Sequence, residues 1–159
     1  MIKYMDTFSW REHGLDDDRL KNDDTEETNY YCDLVESGCQ DPDVCLEAVK
    51  VNSWMLGLVK NQTREICLEA VKRNGTVLRC VKDQTEEICL AAVQQKGTAV
   101  KFVKNQSEIV CLEAVKQNGM ALNYVRNQTE DICLAAVRQN KDALCYVQVQ
   151  FLDACKAIL

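Results

Sequence analysis

An all-α solenoid of short helix-turn-helix hairpins, about 22 residues per repeat, is the fold class this sequence predicts, and three observations carry that prediction. Cys45, Cys67, Cys89, Cys111, Cys133 and Cys155 stand 22 residues apart without an insertion. Most of them sit in the phrase Cys-Leu-Glu/Ala-Ala-Val, which is rich in helix formers. Apolar residues such as Ile66, Cys67, Ala70 and Val71 recur at spacings of three and four, which makes one buried stripe. Leucine-rich repeats share this period but need a Leu-x-Leu strand followed by Asn, and no two-residue alternation is present.

Taken in chain order, residues 1–27 form an acidic leader that is expected to be flexible. Residues 1–40 hold 4 Lys/Arg and 11 Asp/Glu, a net of −7, whereas residues 41–159 hold 15 and 14, a net of +1. The stretch from Asp16-Asp17-Asp18 to Asp23-Asp24-Thr25-Glu26-Glu27 has almost no large apolar side chain to bury. Before it, Tyr4, Phe8 and Trp10 place three aromatics in seven residues, the form of a short docking motif. Docking on another protein, docking on this chain's own array and no docking at all remain three open readings. Residues 28–40, with Thr28 to Glu36 as a degenerate second helix, are expected to cap the array.

Residues 41–159 read as five full repeats plus a terminal helix. The first repeat opens on Asp41-Pro42, with Pro tolerated in the first turn. Thr63, Thr85, Ser107 and Thr129 open the next four, each followed by acids such as Glu65, Glu86, Glu87, Glu108 and Glu130 that suit a helix N-terminus. The capping box is incomplete, because the third helical position is apolar (Ile66, Ile88, Val110, Ile132). A first helix of about ten residues ends with basic residues such as Lys72, Lys116 and Arg138. The following Asn74-Gly75, Lys96-Gly97 and Asn118-Gly119 supply a left-handed residue that closes it. A second helix of similar length is expected to bury Ala99, Val100, Phe102 and Val103 in one unit and Ala121, Leu122, Tyr124 and Val125 in the next. It ends at Asn105-Gln106 or Asn127-Gln128. Helices this short are marginal alone, so stability must come from stacking.

The phrases Ile-Cys-Leu-Glu-Ala-Val-Lys-x-Asn-Gly and Ala-Leu-x-Tyr-Val-Arg-Asn-Gln-Thr, over about residues 41–159, resemble an uncharacterised helical repeat family, a domain of unknown function abundant in amoeba-infecting giant viruses. That resemblance implies a viral or microbial protein of the host cytoplasm and carries over no catalytic residue.

The polar start Met1-Ile2-Lys3-Tyr4-Met5-Asp6 is unlike a signal peptide, and no apolar run approaches the roughly 18 residues of a membrane span, so an intracellular protein without membrane contact is expected. The ladder thiols Cys45, Cys67, Cys89, Cys111, Cys133 and Cys155 are read as reduced, buried and structural, since zinc sites want cysteines in pairs about two to four residues apart. Cys32, Cys39 and Cys45 are closer together, yet the lone His13 is remote in the leader. No cofactor, metal or catalytic residue is expected. The sequons at Asn61, Asn105 and Asn127 record polar helix ends meeting the next hydroxyl cap, and that at Asn74 is a turn.

Two basic rows repeat with the period: Lys50, Lys72, Lys116 and Arg138, and Lys60, Lys82, Lys104 and Arg126. The second is the candidate phosphate-contacting row of an alternative, nucleic-acid-binding solenoid. The preferred expectation is a non-enzymatic protein-binding adaptor or scaffold subunit, with a viral or host protein as partner. Its contacts are sought where units differ, at Trp54, Arg79, Lys101 and Met120, with Tyr4, Phe8 and Trp10 as a second contact.

Overall fold

The computed structural model describes residues 30, 31, 33–35 and 37–158, so Tyr4, Phe8, Trp10 and the rest of the 1–27 leader lie outside the described residues. Among the described residues there is no strand. From Pro42 onward, α-helices alternate with short 3₁₀ segments: α1 (Pro42–Val51), η1 (Ser53–Gly57), α2 (Arg64–Arg73), η2 (Gly75–Cys80), α3 (Glu86–Gln95), η3 (Gly97–Phe102), α4 (Glu108–Gln117), η4 (Gly119–Tyr124), α5 (Glu130–Gln139), η5 (Lys141–Tyr146), η6 (Val149–Phe151) and α6 (Leu152–Lys156). Residues 30, 31 and 33–35 are also helical, with Val35 in the core and Tyr31 packed against it.

Each α-helix packs beside its predecessor and successor, and successive η segments from η1 to η5 do the same. One layer of α-helices and one layer of 3₁₀ segments thus enclose a single core, as stacking of units too small to bury their own apolar faces requires. From the α layer come residues such as Ile88, Cys89, Ala92 and Val93; from the η layer come Ala99, Val100 and Val103, all buried.

Each of α2 to α5 starts as its residues demand. The hydroxyls of Thr63, Thr85, Ser107 and Thr129 accept from the amides of Ile66, Ile88, Val110 and Ile132 at 3.3–3.4 Å. Asp41 does the same for α1 through the amides of Asp43 and Val44.

The helix ends differ from expectation. Asn74 is extended (φ −146°, ψ 102°), its amide donates back to the Ala70 carbonyl, and its side chain accepts from the Thr76 amide to open η2. One asparagine therefore closes the α-helix and caps the next segment, as Asn118 and Asn140 also do. Gly75, Gly97 and Gly119 do not take a left-handed conformation; among the described glycines only Gly38 does, at φ 98°. They are glycines because a Cβ at each would run into the backbone carbonyl oxygen of Ala92, Ala114 or Ala136 in the next unit. Close stacking, not chain reversal, selects them.

The second limb is also shorter than expected, a six-residue 3₁₀ helix in η2 to η5. With three residues per turn, Tyr124 lines up with Ala121 and Phe102 with Ala99, and on that side the small alanines are covered while the long rings reach past the core. Tyr124 is accordingly 39% exposed and Phe102 only half-buried, correcting the buried stripe expected for both.

Candidate functional site

Every ladder thiol is buried: Cys45, Cys67, Cys89, Cys111, Cys133 and Cys155 all lie in the core. Removal from water disfavours the thiolate and pushes each of their pKa values up, that of Cys133 to about 11. Protonated thiols are poor nucleophiles and poor metal ligands at neutral pH. Cys39 is half-buried, and Cys32 and His13 lie outside the described residues. Among the described residues no group of three or more His, Cys, Asp or Glu is arranged to hold a metal ion, and no helix is long and apolar enough to cross a membrane.

Three of these thiols, Cys67, Cys89 and Cys133, touch a second ladder with the same period. Gln84 Nε2 donates to the Leu78 carbonyl of its own unit (3.1 Å) and to the Phe102 carbonyl of the next (3.0 Å), while its Oε1 accepts from the Lys104 amide at 2.9 Å. Gln62 and Gln106 repeat this pattern, Gln128 bonds the Tyr146 carbonyl and the Gln148 amide, and Gln40 Oε1 accepts from the Lys60 amide. The Cys133 thiol donates to Gln128 Oε1 at 3.3 Å, with longer counterparts at Cys67 and Cys89. At the other end of the α-helices, Gln95, Gln117 and Gln139 accept from the amides of Gly75, Gly97 and Gly119 in the preceding unit. In the sequence Gln106 and Gln128 read only as polar helix ends, although the 22-residue repeat of these glutamines is visible there.

The second basic row is occupied in the same way. Lys82 Nζ donates to the Lys60 carbonyl (2.7 Å), Lys104 Nζ to that of Lys82 (2.6 Å), and the Arg126 guanidinium to those of Lys104 and Val103. These side chains are exposed in part but are held against the carbonyls of the unit before. In the first row, Lys50 pairs with Glu47.

The residues expected to meet a partner separate into two groups. Trp54 is 8% exposed and sits in the core of the first unit, so it offers no contact surface; the bulky ring fills space that smaller residues occupy elsewhere. Met120 is half-buried. Arg79 and Lys101 are exposed on the η layer. Lys101 Nζ lies 4.7 Å from the Phe102 ring centre and 5.7 Å from that of Tyr124, and the Arg79 guanidinium lies 5.8 Å from the Phe102 ring centre. Each such contact is worth about 0.5–1 kcal/mol at an exposed site, enough to favour one side-chain arrangement. The layer is also charge-segregated. Residues 96–107 carry three lysines and no acid, and residues 118–129 carry Arg126 and no acid, while α2 to α5 hold most of the acids of these units.

Tandem stacking, a two-layer core and side chains that bridge every junction define an α-solenoid of 22-residue units. The chain belongs to the family described as a domain of unknown function (DUF4116), whose model matches residues 41–85, 63–106, 85–130 and 107–152. No curated protein and no solved structure matches it.

Proposed function

We propose that this chain is a non-enzymatic protein-binding adaptor or scaffold subunit that presents the η layer of its solenoid to a protein partner. One observation carries the reading: the features that repeat in most units are spent on stacking, whereas Arg79, Lys101 and Phe102 differ from their counterparts in the neighbouring units and gather with Tyr124 on one face of the η layer. Arginine and aromatic side chains fixed on a rigid support are the usual anchors of protein interfaces. The resemblance to repeats of amoeba-infecting giant viruses suggests an intracellular setting, in the host cytoplasm, and a viral or host partner. The nucleic-acid alternative has less support, since Lys82, Lys104 and Arg126 already donate to backbone carbonyls.

Affinity capture from the native cell tests the proposal, comparing the full chain with a Tyr4→Ala/Phe8→Ala/Trp10→Ala variant. A discrete protein retained by the full chain after nuclease treatment is expected. Recovery of nucleic acid alone by both chains contradicts it.

A further inference from the structure

We infer that the cation–aromatic face formed by Arg79, Lys101, Phe102 and Tyr124 is the docking site of the chain's own leader, residues 4–27, which acts as a tethered competitor for the partner. The inference rests on the reading that this face is where the array binds, and it adds how that binding is regulated.

Three observations carry it. The face is amphipathic, with Lys101 lying within 6 Å of the centres of both the Phe102 and Tyr124 rings. It is set in segments with a cationic excess, since residues 74–85, 96–107 and 118–129 hold Asp83 as their sole acid against Arg79, Lys82, Lys96, Lys101, Lys104 and Arg126. The leader is its complement in both respects, with acids concentrated at positions 16–18 and 23–27 and aromatics at Tyr4, Phe8 and Trp10. Carboxylates opposite Lys101 and Arg79, with rings against Phe102 and Tyr124, satisfy both halves of the surface.

Length permits it. The chain enters the described region at residue 30 and joins the first unit through Val35 in the core and Gln40 bonded to the Lys60 amide. The face belongs to the second to fourth units, two or three steps of about 8–10 Å away. An extended segment of a dozen residues spans about 40 Å, so residues 16–27 reach Lys101. Tethering raises the local concentration of the leader to roughly the millimolar range, so weak exposed pairs suffice.

Zero-length carbodiimide cross-linking of the full chain, at low micromolar concentration in an equal mixture of unlabelled and ¹⁵N-labelled protein, provides the test. Mass spectrometry should join Lys101 to carboxylates of residues 16–27 within single-isotope products. The yield should exceed that at the α-layer Lys72 and Lys116 at least fivefold, and fall about tenfold from 50 to 500 mM salt. Equal yields at the three lysines, no Lys101 product, or mixed-isotope products that place the leader on a second copy overturn the inference. The measurement involves no outside partner, so its failure leaves the protein-binding proposal to the capture experiment, and a failed capture with the cross-link present overturns that proposal and the competitor role while the docking of the leader stands.

Discussion

Gln84 shows what one side chain contributes when every polar atom it carries is used. Its amide group bridges two carbonyls and a backbone amide across a unit junction, and the Cys89 thiol reaches it at 3.9 Å. Gln84→Ala should cost about 2–4 kcal/mol, because the Leu78 and Phe102 carbonyls and the Lys104 amide all lose a partner. Urea unfolding measures it, and a loss below about 0.5 kcal/mol would show that water replaces the bridge. The cysteine ladder and the hydroxyl caps were legible in the sequence because their roles are local: an apolar stripe and a cap bonding three residues on. The glutamines were not, because their bonds across the junction reach 18 and 20 residues along the chain and their repetition looks like an ordinary polar helix end.

The ten-residue α limb was legible as an element because its cap, stripe and basic end all agree. The 3₁₀ limb was read as an α-helix of similar length, since apolar spacings of three and four over six residues suit either geometry. What decides is the stacked neighbour, which also selects Gly97 through the Ala114 carbonyl. One element lacks what its copies possess. Lys96 opens η3 without a side-chain cap, where Asn52, Asn74, Asn118 and Asn140 each accept an amide. Lys96→Asn should therefore stabilise the chain by about 0.5–1 kcal/mol, seen as a rise in the urea midpoint at constant m. A fall in midpoint would mean that the Lys96 side chain contributes more to the η layer than a cap does.

Across the whole molecule, six buried thiols with raised pKa values make alkaline stability a collective property. Below about pH 8.5, the ordinary thiol value, folded and unfolded chains both keep these protons and the thiols add no pH dependence to stability. Above it the unfolded chain gives up protons that the folded chain retains. Stability then falls as pH rises, and the fall continues until the folded thiols ionise, for Cys133 at about 11. Thermal unfolding from pH 7 to 10.5 should show this decline, and alanine at Cys89 and Cys111 should flatten it; an unchanged slope in that variant would assign the decline to other groups.

At the same scale the proposed function divides structure from recognition. Ladder residues hold the stack together, and Arg79, Lys101 and Phe102 are among the positions at which the units differ. The direct comparison is quantitative partner capture by two full-length variants, Arg79→Glu/Lys101→Glu and Cys89→Ala/Cys111→Ala, each confirmed folded by circular dichroism. The first should lose the partner at least tenfold while remaining folded, and the second should retain it. Retention by the first, or loss by the second while its stability holds, would contradict the division of labour between face and ladder.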